Sequence, residues 1–202
     1  MLIETLTLSL LIGKFRGGKI RNLEWLNIKG WYLFVISFIL EMISLLIVSR
    51  SNGKLSGIIE NKFFYIHIIV YLFLILGLSM NIREKGLLIT LLGSILNFIP
   101  LLRNEGRMPV SIKGLKSSHL YEQLTLLEEG KILTHTLSHK GTKLYYLSDI
   151  IPISRPYPFP KIISIGDLLI AIGLFVLIQH YMMNNLKRGK MITISYSGKL
   201  GR

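Results

Sequence analysis

The chain has 202 residues, half of them apolar and only 17% charged, and its mean hydropathy of +0.51 is high for a soluble fold. It contains no cysteine, which excludes disulfides, thiolate catalysis and cysteine-ligated zinc. Much of the net charge of +13 comes from three short basic segments between or after apolar runs, a placement that fits membrane orientation and attraction to anionic headgroups and argues against nucleic acid.

The first apolar run, Leu2 to Phe15 (LIETLTLSLLIGKF), is short and carries Glu4. No basic residues precede it and no small-residue cleavage site follows, so it reads as a retained first helix and not as a signal peptide. Arg16-Gly17-Gly18 after it is a basic turn and lacks the spacing of a phosphate loop. Trp31 to Val48, Phe63 to Met80, Gly86 to Leu102 and Ile162 to Met183 are each long enough to cross about 30 Å of hydrocarbon as a helix.

Between the runs, Arg50 to Lys62, with SNGKLSG, reads as a polar turn, and the tight NIREKG makes the third and fourth spans an antiparallel pair. The expected fold is therefore an all-α integral membrane protein, a single domain with five transmembrane helices, the first one short. Spans lie at about 2–15, 31–48, 63–80, 86–102 and 162–183, with a partly structured outer loop over 103–161 and a cytoplasmic tail over 184–202. Lys14, Arg16, Lys19, Arg21 and Lys29, then Arg83 and Lys85, then Lys187, Arg188 and Lys190 all fall on one side of such a bundle. The positive-inside rule makes that side cytoplasmic and puts the N-terminus outside. A four-span arrangement leaves the tail on the same side, so the charges do not by themselves establish the first span.

A loop as long as Arg103 to Lys161 is expected to be structured and functional. Ser117 and Ser118 can cap a helix in which Leu120, Leu124 and Leu127 share a stripe and Gly130 is the stop. Lys131 to Leu147 reads as a hairpin or an irregular extended segment. Ser148 to Asp167 holds four of the six prolines and reads as an extended path across the outer ends of the helices. Gly166 and Gly173 share a face of the last span, where Gly93 and Ser94 of the fourth can meet them; with one alanine in the chain, glycine must supply the close helix approach.

The residues that could carry chemistry are the polar groups in or beside the spans, because an ionisable group in hydrocarbon is costly without a partner or a use. Glu4, His67, Asn97, Arg107, His135, Asp149 and Asp167 converge on the outer end, while Glu41 stands apart near the middle of the second span. Asp167 also has a structural reading: with Ser164 three residues earlier it makes a capping box. Glu41 reads as a helix-pairing group or as a proton or cation site, Asn97 as a bridge between helices, and His67 as a hydrogen-bonded interfacial histidine. Arg107 reads as a bridge to Asp149 or Asp167, or as an anion-binding guanidinium. His135 and His139 have i, i+4 spacing, but THTLSHKG is a poor helix, and no metal or cofactor is expected. Ser111, His135 and Asp149 form no recognisable nucleophile site.

NFIPLLRNEGRMPVS (Asn97 to Ser111), LTHT with a later Thr142, and DIIPI followed by PYPFPKIISIGD resemble a family of small multi-pass bacterial membrane proteins known only as a domain of unknown function. Members often show Gly-Gly before the arginine, where this chain has Glu105-Gly106, and Gly-Asp where it has Ser148-Asp149. The resemblance implies a multi-pass bacterial cell-membrane location and no particular activity. The leading functional expectation is a non-enzymatic binding, transport or accessory component, partnered by the lipid bilayer, with a polar site at the extracytoplasmic interface. The alternatives are a membrane-embedded enzyme acting on a lipid-linked or small anionic substrate, and a structural subunit with a membrane-protein partner.

Overall fold

A computed structural model describes residues 1–50 and 54–184. The start of the expected polar turn, at 51–53, and residues 185–202, with Lys187, Arg188, Lys190 and most of the expected tail, lie outside the described residues.

The five apolar runs are helices: α1 (Leu2–Phe15), α2 (Trp31–Arg50), α3 (Lys54–Ser79), α4 (Leu87–Arg103) and α7 (Ile165–Met183). Three are long and apolar enough to cross a membrane, namely α2, the Gly57–Ser79 part of α3, and α7; α1 has 14 residues and α4 has 17. Helix α3 begins at Lys54, well before the expected boundary at 63, so most of the Arg50 to Lys62 segment is helix and not turn. That extension moves His67 from the start of a span to the middle of a helix.

The helices pack as a row, α2 on α3, α3 on α4, α4 on α7 and α7 on α1. The α4–α7 contact is close, and glycine makes it so. A Cβ on Gly93 would meet Ile170 N at 2.8 Å and overlap the carbonyl of Gly166, while one on Gly173 would meet the backbone of Gly86 at 2.6 Å and collide with Thr90. Such approach leaves no room for any side chain larger than hydrogen. Leu78, Leu87, Leu91 and Leu177 form a core joining α3, α4 and α7 at one end.

Helix α1 runs beside α7 in the same direction and is tied to it near both ends. Glu4 pairs with Lys161 just before α7, and Lys19 N donates to Met182 O at its far end (3.0 Å). The first two basic segments, that of Lys14 to Lys29 and that of Arg83 and Lys85, lie at that far end. Asn22 bonds the carbonyls of Met182 and Asn184, Asn81 clasps both backbone groups of Lys29, and Tyr181 donates to Glu84.

Residues 104–164 form a folded roof at the other end and make the chain more than purely helical. Its elements are β1 (Met108–Val110), α5 (Ile112–Ser117), α6 (Tyr121–Glu128), β2 (His135–Leu137), β3 (Ile151–Ile153) and β4 (Lys161–Ile163). Val110, Leu115, Leu124 and Leu127 make a separate small core. The expected caps are corrected: Ser111 caps α5 by accepting from Gly114 N, α6 has no side-chain cap, and Ser118 instead meets Ser154 at 3.0 Å. The proline stretch is also corrected. It is a hairpin in which β3 and β4 pair antiparallel, so α7 starts at Ile165 and not at 162. Proline is accommodated because Pro152 needs no ladder donor on a two-stranded edge.

Candidate functional site

Strand β1 has a neighbour on each side. β2 pairs with it in parallel, Met108 opposite His135, and on the other edge Val110 forms a bridge to Asp149. Asp149 N donates to Pro109 O and Ser111 N to Asp149 O, at 3.0 and 2.8 Å. Because strand side chains alternate between faces, residues registered with positions 108 and 110 share one face. The register thus brings His135 Nε2 to 3.4 Å from Asp149 Oδ2. His135 Nδ1 meets Thr134 Oγ1 at 2.7 Å, and since that hydroxyl can donate or accept, the imidazole keeps a partner in either charge state.

Below the roof, Phe34, Ser37, Glu41 and Ser44 recur at helical spacing along the face of α2 that meets α3. Ser37 and Ser44 are buried there, and Ser37 donates to Val70 O at 3.1 Å. Glu41 is consequently aimed at α3, with Oε1 3.8 Å from His67 Nε2. The other ring nitrogen, Nδ1, lies 2.7 Å from the carbonyl oxygen of Gly106, in the roof. A carbonyl only accepts, so Nδ1 carries a proton in every charge state, and Nε2, facing Glu41, is where the ring gains or loses one. Glu41 therefore belongs to the outer polar group and does not stand apart.

Tyr71 lies one turn after His67, its ring edge-on to the imidazole at 5.4 Å and stacked on Phe98 at 5.4 Å. It lies within electrostatic reach of Asp167, Glu41 and Asp149, and Glu41 within reach of His135. Asp167 forms the capping box with Ser164: Asp167 N donates to Ser164 Oγ (2.9 Å) and Ser164 N to Asp167 Oδ2 (3.1 Å). Its other oxygen accepts from Asn97 Nδ2 at 3.0 Å, and Ser164 Oγ donates to Asn97 Oδ1 at 2.7 Å, so Asn97 does bridge α4 and α7.

Burial raises the carboxyl of Asp149 above its ordinary pKa of 3.8; the hydrogen bond from His135 pulls the other way, and the nearby charge of Asp167 adds to the rise. Among the described residues, Glu41, Asp149 and Asp167 form no ion pair with lysine or arginine; Glu41 and Asp149 each face an imidazole, and Asp167 is held by Asn97 and Ser164.

Two expected members lie elsewhere. Arg107 bridges to neither aspartate; it lines a pocket with Glu60, Asn61, Phe63, Phe64 and Glu105. The reason is local: its neighbours 106 and 108 are held by His67 and by the β1–β2 pairing, which turns position 107 away from Asp149. Glu4 is engaged by Lys161 and Tyr157. His139 is exposed beyond β2, and His135 is in a strand, so their spacing produces no helical pair. Ser111 serves as the α5 cap and accepts from Tyr145. Tyr71 and Thr134 were not anticipated. The i, i+4 spacing of His67 and Tyr71 in HIIVY was the available signal for the first, and the LTHT stretch, in which Thr134 precedes His135, was the signal for the second.

No solved structure is found to match the chain. An uncharacterized protein of Thermotoga maritima is 29% identical over 178 residues, covering 87% of this chain and 89% of the relative. The model of a family of unknown function, DUF5317, matches residues 25–179, from the turn before α2 almost to the end of α7 and so across the whole site. The chain belongs to that family.

Proposed function

We propose that the protein is a cell-membrane protein of five spans, with its N-terminus outside and C-terminus in the cytoplasm. The roof then covers an extracytoplasmic site that binds a small cation in exchange for protons, as a non-enzymatic binding or transport component. One observation carries this reading: Glu41 and Asp149 each face an imidazole, of His67 and His135, with the charge of Asp167 near enough to act on Asp149, and none of the three acids pairs with lysine or arginine among the described residues. Two protonated imidazoles offset two of the three carboxylates; deprotonated ones leave the group with no cationic partner. The five-span arrangement is supported by α1 lying beside α7 in the same direction, with Glu4 and Lys19 bonded near the two ends of α7, and the orientation by the segments of Lys14 to Lys29 and of Arg83 and Lys85 at the end away from the roof. The bilayer, with anionic headgroups at the cytoplasmic face, is the proposed partner. An enzyme for anionic substrates would need Arg107 beside the acids, whereas Arg107 lines a separate pocket of about 330 Å³.

The test is thermal stability of the purified chain in detergent with Na⁺, K⁺ or guanidinium. A cation at about 100 times its Kd should stabilise the folded state by about 2.7 kcal/mol. The stabilisation should be strong at pH 8, weak at pH 5, and absent in Glu41→Gln and Asp149→Asn. If none of the three cations stabilises the protein, or if both variants respond like wild type, the reading is wrong.

A further inference from the structure

At the end of the bundle away from the roof, a pocket of about 420 Å³ opens between the end of α1, the α3–α4 turn and the last turns of α7. Arg16 and Lys85 stand at it, drawn from segments far apart in the chain, and Phe175, Val176 and Met183 supply an apolar wall. No carboxylate lines it. Neither cation forms an ion pair among the described residues, and the nearest acid in sequence, Glu84, accepts from Tyr181 instead. Arg16 is positioned by a hydrogen bond from Nη1 to Gln179 Oε1 at 3.0 Å, and Gln179 is itself fixed by donating to Ser9 O at 2.7 Å. One guanidinium held in place and one exposed ammonium beside an apolar wall match an amphiphile with a single anionic group.

We infer that this pocket seats an anionic phospholipid, its phosphate between Arg16 and Lys85 and one acyl chain along Phe175, Val176 and Met183. The inference is independent of the acidic cluster but rests on the chain being membrane-embedded. A chain recovered in the soluble fraction would sink both readings, whereas one extracted only by detergent yet indifferent to headgroup would sink this one alone.

The experiment is native mass spectrometry of the full chain in detergent with added phosphatidylglycerol, phosphatidylcholine or glycerol 3-phosphate. Phosphatidylglycerol should be retained one-to-one in preference to phosphatidylcholine. Arg16→Ala with Lys85→Ala should weaken its retention roughly thirtyfold, about fivefold for each cation near an anionic group. Lys85→Ala alone, at an exposed side chain, should give the single fivefold step without disturbing the fold. Val176→Trp, which fills the pocket without altering charge, should lower retention too, and Arg83→Ala, in the same turn but outside the pocket, should leave it unchanged. Equal retention of the two lipids, equal loss in Arg83→Ala, or glycerol 3-phosphate binding as tightly as the lipid would each overturn the assignment.

Discussion

Glu105 and Gly106 show how one backbone turn sets the site. Both have left-handed backbone, with φ of 57° and 75°. Glycine takes that conformation freely, whereas a side chain there is strained by about 1 kcal/mol or more. Gly106 is irreplaceable for a second reason: a Cβ would sit 2.9 Å from Phe64 Cα, and its carbonyl holds His67. Glu105→Gly should therefore raise stability by about 0.5–1 kcal/mol, read as a higher Tm in detergent. Gly106→Ala should lower it by at least about 1 kcal/mol and move the His67 imidazole resonances in NMR spectra.

Asp149 carries a pH signature. Its folded pKa is raised by burial, so the folded state holds the proton to higher pH than the unfolded chain does. Its contribution to stability is full below the ordinary value of 3.8 and is lost as pH rises through the raised folded value. Asp149→Asn removes that loss, so the stability advantage of wild type over the variant should shrink from pH 4 to pH 7. Unfolding titrations at a series of pH values, repeated in a His135→Gln background to remove the facing imidazole, would expose an opposite or flat trend.

At the scale of elements, the α4–α7 pair is the part most legible from sequence, because a seven-residue glycine spacing and a capping box are local patterns. Gly173→Ala should cost about 1–3 kcal/mol by forcing the helices apart at Thr90 and Gly86. Gly57→Ala, on α3 where nothing lies within 4 Å, should instead gain up to about 1 kcal/mol through helix propensity. Unfolding in graded SDS should separate the two; destabilisation of similar size in both would mean that close approach is not what the α4 and α7 glycines provide. The roof was poorly legible by comparison. Its strands have three residues each, too short for alternation to register, and its helix starts depend on which serine has a free amide in reach, Ser111 and not Ser117.

The whole molecule has a directional claim that its composition makes easy to test, since there is no native cysteine to remove. Lys140→Cys in the roof should react with a membrane-impermeant maleimide on intact cells, and Arg83→Cys only after permeabilisation. An epitope fused ahead of Met1 should be cleaved by external protease if α1 crosses; protection with the roof still labelled would leave four spans. The helices themselves follow from the apolar runs, because about 20 apolar residues in succession have few other stable folds. Ser164 with Asp167 and the glycine face of α7 were likewise settled by neighbours along the chain. The site was not. Glu41 and His67 meet because α3 begins at Lys54 and lies along α2, His135 and Asp149 meet because two strands flank β1 in register, and Arg107 leaves them because its neighbours are held. Each of these is a pairing between distant segments, whose geometry depends on how whole elements pack, and no local pattern carries that information.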